Sequence, residues 1–420
     1  MVELKDPTTA IVRPALADAA ELDRTSFAWL IDPVPPATFT ADHWENAPLF
    51  VSRSNPDHYA GLPGLNDVDE LITATASRSP GMTEDVRIIR TDEKGELSVR
   101  PPPMLDNGLP DIQAMYRDYQ HGCSLSVNHL HRRSAPLARL CGSLEEDLHH
   151  PVGVNLYLTP RGSQGFRPHI DTHDVFILQI HGTKDWYFAE PDDALPLTSM
   201  RPACDRPLDA YRKITLQPGD LLYLPRGFPH FARATATSSL HYTVGLEPYR
   251  LIDFMDDALQ EMAHADVRYR HALPPGFSDL PVDGAGARDF AEELIRQLHD
   301  DRFVERVGRR LEARRLRPGK ATPTGHFASI DAAEDLGAES VLVRLPGIHC
   351  RVRQVEDVAI IDFTGNFVSG PAFILPLLNF IATNREFSVK DLPGTLAMTD
   401  KIDLARRLIG EGLLQIAQSR

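Results

Sequence analysis

The 420-residue sequence predicts an α+β protein built on an all-β core, and three observations predict it. Between residues 146 and 249, five short runs rich in β-branched and aromatic residues (GVNLYLTP, DVFILQIHG, DWYFAEP, DLLYLP, HYTVGLEP) are punctuated by Gly, Pro or Asp. Short strands with such turn signals make a sandwich or a barrel. Residues 250–335 change to apolar positions at three- and four-residue steps, the period of amphipathic helices. Beyond the polar break RPGKATPTGHFAS, residues 336–420 read as strands followed by helix, turn, helix and strand, the outline of a winged helix.

In chain order, residues 1–145 form a leader of short helices and proline-rich connections such as IDPVPPATF and VRPPPMLDNGLPD. Within it HWENAPLFVSR, residues 43–53, ends in an apolar-then-basic run that suits a strand entering a sheet. HLHRRSAPLARL at 129–140 is a candidate basic patch, with a solvated helix face as its plainer reading. The helices LIDFMDDALQEMAHADVRYRHAL and ARDFAEELIRQLHDDRFVERVGRRLEARR each need something to cover an apolar face. That cover is either a second copy of the chain, which makes 250–335 a dimerisation element, or packing within the chain. In the C-terminal part SVLVRL, HCRVRQV and VAIIDF read as strands and PAFILPLLNFIAT as a helix.

Composition narrows the function classes. At 42% hydrophobic and 25% charged residues the chain has an ordinary globular balance, with no apolar stretch long enough for a membrane span. The first residues lack the basic and apolar regions of a secretory signal, so the expected location is the cytoplasm. Cys123, Cys141, Cys204 and Cys350 are far apart with no C-x-x-C pair, which points to reduced, structural thiols. A formal charge of −15 disfavours nucleic acid and favours a basic protein or peptide as partner. The Lys and Arg of the winged-helix-like end are balanced by Asp and Glu, which weakens a DNA-binding reading further.

The chemistry concentrates in GFRPHIDTHDVFILQIHGTKDWYF, residues 165–188. In an extended segment, residues two apart share a face, so His169 and Asp171 can chelate one ion; alone, the same pair is a polar strand edge. His230, after the Gly-Phe-Pro turn in LPRGFPHFARA, supplies a third ligand. Two histidines and one carboxylate leave three positions of a six-coordinate ion open, which suits non-haem Fe(II). Zinc prefers four tetrahedral ligands, and His173 is the nominal fourth. Lys184 shares strand parity with Trp186 and Phe188. It is either an enclosed ammonium that needs an anion or a surface lysine whose stem runs past its aromatic neighbours. A straight strand would carry Lys184 far from His169, so the chain must bend or reverse between them, with Thr172, His173 and Asp174 the polar residues best placed for the break.

The stretch VNLYLTPRGSQGFRPHIDTHDVFILQIHGTKDWYF, with PGDLLYLPRGFPHFARA and SLHYTVG downstream, resembles the JmjC-type, cupin-like 2-oxoglutarate oxygenases of the ribosomal oxygenase group. The resemblance is specific over the catalytic part and agrees in outline over the rest. It implies a double-stranded β-helix (jelly-roll) core at 146–249 completed by residues 1–145, a helical domain at 250–335 and a winged helix at 336–420. It implies iron ligands at His169, Asp171 and His230, and a 2-oxoglutarate lysine at Lys184. Asn155 and Tyr157 match the family's N-x-Y strand, and His241 and Thr243 match the last barrel strand beside the cosubstrate. His173 has no fixed family role; it reads as a substrate contact or a polar turn residue.

The resulting expectation is an oxygenase using Fe(II), 2-oxoglutarate and O₂ to hydroxylate a His or Arg side chain in a ribosomal protein or other peptide. A hydroxylase that tailors peptide natural products would use the same site. Two other classes stand beside it: a zinc or nickel cupin, against which Lys184 speaks, and a non-catalytic binding module or regulator, which has no need of an intact triad. Demethylation is chemically open to such a site, but no linear signature of a methyl-lysine cage is present.

Overall fold

The computed structural model describes residues 10–12, 25–76, 85–92, 94–200, 204, 207–272, 275–276, 284–315, 325–345 and 348–417. The chain divides into two compact units: Met1–Glu247 with Lys320–Asp331 and Leu345–Gly347, and Pro248–Gly319 with Ala332–Arg344 and Ile348–Arg420.

The first unit contains twelve strands among its described residues: β1 Ala10–Val12, β2 Leu49–Val51, β3 Val86–Thr91, β4 Leu97–Arg100, β5 Ser124–Val127, β6 Val152–Thr159, β7 Asp174–His181, β8 Lys184–Phe188, β9 Arg212–Leu216, β10 Leu221–Leu224, β11 His230–Ala234 and β12 Ser239–Leu246. Nine form one sheet in the order β1-β2-β10-β7-β12-β6-β5-β3-β4, and three form a second in the order β11-β8-β9. The helices are α1 Phe27–Ile31, α2 Pro36–Asp42, α3 Val68–Ala76, α4 Ile112–Gln120 and α5 Ala135–Leu148.

Period-two alternation sets what each face meets. On β7, Phe176 and Leu178 join the core with Phe27, Phe39, Leu137, Leu140 and Tyr223, whereas Val175 and Ile177 pack with Trp186, Phe188, Leu216 and Leu222. Both faces of β7 are covered, which is why DVFILQIH reads as a continuous apolar run rather than an alternation. On β6 and β12 one face is apolar (Val154, Leu156, Leu158; Leu240, Tyr242, Val244) and joins the same core as Phe176. Their other face carries Asn155, Tyr157, Thr159, His241 and Thr243, and lines a cavity.

The stretch at 129–140 is exposed only in part: His129, Arg132 and Arg139 reach solvent, and the rest of it is buried, half-buried or paired. His131, Leu137 and Leu140 are buried, and Arg133 is bound to Asp85 at 2.6 Å. The basic residues were legible there, but Asp85, 48 positions earlier, was not. The strand expected in HWENAPLFVSR is β2. Several strands of this unit escaped the reading, among them β3, β4 and β5, which lie in the stretch read as a leader of short helices and proline-rich connections, and β9, whose RKITL alternates without bulky aromatics.

The second unit holds α6 Leu251–Ala265, α7 Gly284–Leu298 and α8 Asp301–Arg315, with α9 His326–Ala332 following in the chain. The long periodic run read from the sequence is thus two helices, broken at His299 and Asp300. Ala258, Met262, Phe303 and Val307 form the core between α6 and α8, and Arg306 and Arg314 bind Glu261 and Asp257 at 2.8 and 2.7 Å. Beyond them run β13 Val341–Arg344, β14 Cys350–Val355, β15 Val358–Phe363, β16 Asn366–Pro371, α10 Leu375–Thr383, β17 Glu386–Ser388, α11 Met398–Gly410 and β18 Leu414–Ile416. They make the sheets β17-β13-β18 and β14-β15-β16.

Among the described residues no helix is long and apolar enough to cross a membrane. The four cysteines carry no disulfide.

Candidate active site

The cavity encloses about 690 Å³, its open mouth included. His169 and His230 pair through their backbones, His169 N–H donating to the His230 carbonyl at 3.1 Å and His230 N–H to that of His169 at 2.8 Å. Gly227, at φ +91°, donates to the Asp171 carbonyl at 2.9 Å and so sets the turn that delivers His230. A Cβ on Gly227 would lie 2.7 Å from Pro196 Cδ.

Held this way, ligand atoms of His169, Asp171 and His230 all lie within 4.8 Å of one another. His230 Nε2 is 3.6 Å from Asp171 Oδ2. Each imidazole is oriented from behind: His169 Nδ1 lies 2.9 Å from the Arg167 carbonyl, and His230 Nδ1 lies 2.9 Å from that of Phe228. A carbonyl accepts the Nδ1 proton, so both Nε2 lone pairs are directed at the common point. Burial and the neighbouring His169 push the His230 imidazole down to about 4, which keeps it neutral and able to ligate. Burial opposes ionisation of Asp171, but His230, His169 and His173 outweigh it and hold the carboxyl below its usual range. His173 lines the cavity without joining the convergent set. Its ring lies over Gly245, where a Cβ would come 2.8 Å from His173 Cδ2. The tetrahedral zinc set with His173 as fourth ligand is therefore not assembled.

Lys184 is 4% exposed, which removes the surface-lysine reading. Its Nζ donates to Thr159 Oγ1 at 3.0 Å and sits 5.8 Å from the Trp186 ring centre. Burial alone pushes the ammonium down to about 7, and among the described residues no carboxylate counters it. The chain does bend at Thr172 and His173, but the reversal that brings Lys184 back lies at Gly182 and Thr183, between β7 and β8. Gly182 has φ +62°, and a Cβ there would lie 1.7 Å from the Ser238 carbonyl oxygen. Gln179 ties the turn down by donating to the carbonyls of His181 and Gly182 and to Ser239 Oγ at 2.9, 3.0 and 2.9 Å.

The other expected residues line the same space. Tyr157 stacks on His241 with ring centres 5.1 Å apart, and Trp186 meets His241 edge-on at 5.3 Å. Burial and the nearby Asp171 push the Tyr157 phenol up to about 12, against a hydrogen bond with Asn155. Burial, then Lys184, holds the His241 imidazole well below its ordinary value. Thr243 lies two residues further along β12 and also faces the cavity. His241 Nδ1 and Trp186 Nε1 are buried without a hydrogen-bond partner, polar atoms that a ligand would satisfy.

Sequence reading missed Thr159, Phe166 and Gln179, and named Trp186 only as a neighbour of Lys184. Thr159 continues the i, i+2 row of Asn155 and Tyr157, and Gln179 is the lone polar residue in an apolar run; both signals were legible. Of the other histidines, His131 and His150 are structural: His131 Nδ1 accepts the Val154 N–H at 3.1 Å, and His150 stacks on Trp44.

A barrel of two facing sheets whose cavity gathers two histidines and a carboxylate is the cupin-type architecture of the JmjC class. Residues 128–254 match the family model of the JmjC domain. Among relatives, ribosomal oxygenase 1 of Gallus gallus is 32% identical over 335 residues, covering 77% of this chain and 51% of that protein. The bifunctional lysine-specific demethylase and histidyl-hydroxylase NO66 of Branchiostoma floridae is 32% identical over 303 residues, covering 69% of this chain and 46% of that protein. The chain spans about half the length of these relatives. Among solved structures, Escherichia coli ribosomal oxygenase YcfD superposes with a TM-score of 0.56 at 19% identity, over 91% of this chain and 98% of that one. Its complex with cobalt and 2-oxoglutarate gives 0.55 at 18% identity, over 92% and 99%. Residues 128–254 are thus a JmjC domain, and the relatives named here are a ribosomal oxygenase and a lysine-specific demethylase and histidyl-hydroxylase.

Proposed function

We propose that this protein is an Fe(II)- and 2-oxoglutarate-dependent oxygenase that hydroxylates a histidine or arginine side chain in a ribosomal protein or other peptide. One observation carries the reading: a single cavity holds a convergent His-His-Asp set and a buried lysine that has no carboxylate partner among the described residues. A metal-only cupin has no use for that lysine. A dicarboxylic cosubstrate chelated at one end requires a cation for the other.

The residues present fit these groups. His169 and His230 would hold iron through Nε2, and Asp171 through its carboxylate. Lys184, with Thr159 beside it, would bind the distal carboxylate of 2-oxoglutarate. His241 Nδ1 and Trp186 Nε1 are unsatisfied until a ligand reaches them. Iron and 2-oxoglutarate, when bound, supply O₂ activation coupled to oxidative decarboxylation, one oxygen atom entering the substrate and the other succinate. Tyr157 and His241 wall the cavity with stacked rings and limit water, while Asn155 and Thr243 offer hydrogen bonds to what enters. Phe166 packs at 5.4 Å from His169 and covers the metal end.

The net charge of −15 favours a basic segment, and the relatives' names point to ribosomal proteins. On the same reading residues 1–145 complete the barrel, and 250–335 serve homodimerisation through apolar side chains left exposed on α6 and α7, such as Ile252 and Ile295. Residues 336–420 act as a winged helix that packs or binds protein, in a cytoplasmic enzyme. The test is mass spectrometry of ribosomal proteins from a strain lacking the gene. One histidine or arginine should lose the mass of one oxygen atom, regained on complementation with wild type but not with Asp171→Ala. An unchanged ribosomal protein set refutes the substrate class, and iron-dependent 2-oxoglutarate turnover by Asp171→Ala refutes the ligand assignment.

A further inference from the structure

Strand β5 ends at Val127, and the residues after it lie along the edge of β6 that β5 no longer covers. His131 turns its ring inward there and accepts the Val154 N–H, as a neighbouring strand would. His129, two residues earlier, does the opposite. Its backbone is left-handed, φ +55°, a region that few residues with a Cβ adopt. Its side chain is 47% exposed, yet the ring is firmly held. Nδ1 lies 3.0 Å from Asp85 Oδ1, and Asp85 Oδ2 accepts from Arg133 Nη2 at 2.6 Å. The Arg133 side chain is 6% exposed. A carboxylate only accepts, so Nδ1 carries a proton, and in the neutral ring Nε2 presents a lone pair with no partner among the described residues.

This assembly adjoins the cavity. The His129 N–H donates to Asn155 Oδ1 at 3.0 Å, and Asn155 lines the cavity and bonds Tyr157. Fixing an exposed ring costs side-chain entropy, and an exposed ion pair returns little stability. A strained backbone, a buried arginine and a carboxylate are spent on aiming one imidazole at solvent beside the site. Strain of this kind collects where geometry serves a ligand.

We propose that His129 is a substrate-positioning residue: held by Asp85 and Arg133, its Nε2 accepts a hydrogen bond from an N–H donor of the peptide substrate, a backbone amide or a basic side chain. The inference rests on the oxygenase reading above, and the two fail separately. The probe is total ribosomal protein from a strain lacking the gene, followed by a random basic peptide library, added to Fe(II)- and 2-oxoglutarate-loaded protein without O₂. Carbethoxylation of His129 by diethyl pyrocarbonate is followed by peptide mapping, with exposed His121 and His264 as internal references.

A probe that stimulates 2-oxoglutarate turnover in air should slow modification of His129 roughly fivefold or more and leave the references unchanged, as loss of access to a nitrogen engaged in a hydrogen bond requires. His129→Gly keeps the left-handed backbone and the N–H to Asn155 but removes the ring. It should raise the half-saturating concentration of that probe about tenfold, the worth of one hydrogen bond, with a much smaller change in kcat. A merely structural residue would instead lower Tm and kcat together. Stimulation by a probe without protection of His129, or with an unchanged half-saturating concentration in His129→Gly, overturns the proposal. Stimulation by the library but not by ribosomal protein overturns only the ribosomal substrate class. If neither probe stimulates turnover or protects the ring, both are overturned.

Discussion

Replacing Lys184 with Met should stabilise the metal-free protein while removing its affinity for 2-oxoglutarate. The structure supplies the magnitude. Burial alone takes the ammonium from 10.5 down to about 7. At about 1.4 kcal/mol per unit, the charged form costs the folded state roughly 5 kcal/mol below pH 7 as an upper bound. The sign follows from proton binding: between pH 7 and 10.5 the unfolded chain keeps the lysine proton and the folded chain does not. This lysine's cost is therefore complete below pH 7 and fades as pH rises towards 10.5. Met fills the space of the lysine stem without the charge. Lys184→Met should thus gain about 3 kcal/mol at pH 6 after allowance for relaxation around the charge, and much less at pH 9. Leaving a buried carboxylate without its cation costs about 3 to 5 kcal/mol, so 2-oxoglutarate affinity should fall by about two to nearly four orders of magnitude. In the wild type, binding needs the lysine proton, and the dissociation constant should rise about tenfold per pH unit above 7. Urea unfolding of metal-free protein at pH 6 and 9, and anaerobic titration of Fe(II)-loaded protein with 2-oxoglutarate, measure both. A Met variant less stable than wild type at pH 6, or a wild-type affinity that is flat from pH 7 to 9, refutes the reasoning.

Two further substitutions test how the site is held. Gly182→Ala puts a Cβ 1.7 Å from the Ser238 carbonyl at φ +62°. It should destabilise by more than about 3 kcal/mol in urea unfolding, and wild-type stability would show that the β7 to β8 turn does not need this backbone. Arg226, 5% exposed, binds Asp174 at 3.0 Å and Glu45 at 2.5 Å, and Asp174 has no exposed side-chain surface. Arg226→Met should cost about 3 to 5 kcal/mol because Asp174 is left buried and unpaired, and adding Asp174→Asn should recover part of it. A single variant as stable as wild type would mean that Asp174 is already neutral in the fold.

What the sequence showed follows range. The His169 and Asp171 pair was legible because extended backbone puts i and i+2 on one face, whatever the rest of the fold does. Asn155 and Tyr157, and His241 and Thr243, obey the same rule. The long-range pieces were not legible in the residues themselves. No local pattern brings Asp85 to His129 and Arg133, and those basic residues looked like a surface patch until their acid was placed. The break between His169 and Lys184 is expected at Thr172–Asp174 because polar residues stand there, and the chain does bend there, yet the reversal is made at Gly182 through a positive φ and contact with Ser238, 56 residues away in the chain. Lys184 could be read as surface or as enclosed, since burial is a property of the opposite sheet.

That opposite sheet also resolves the distance problem set by the chain. Fifteen residues of straight strand would separate His169 from Lys184 by about 50 Å. In the folded barrel, β11 carries His230 opposite Phe188 and Ala234 opposite Lys184. His230 and Lys184 are thus four residues apart along paired strands, about 13 Å between backbone positions, a span that a lysine side chain and a five-carbon diacid would share. Parity enforces the rest. Lys184, Trp186 and Phe188 face inward while Asp185 and Tyr187 face out, Tyr187 stacking on Phe231 at 4.6 Å. A one-residue slip of β8 would put Asp185 in the cavity and Lys184 outside it, exchanging an anion's partner for an anion. On the proposed oxygenase reading, the register of β8 is itself a condition of cosubstrate binding. The side chains that hold the turn before it, Gln179 of β7 on Gly182 and Thr183 on Thr235, would then serve the function although they face no ligand.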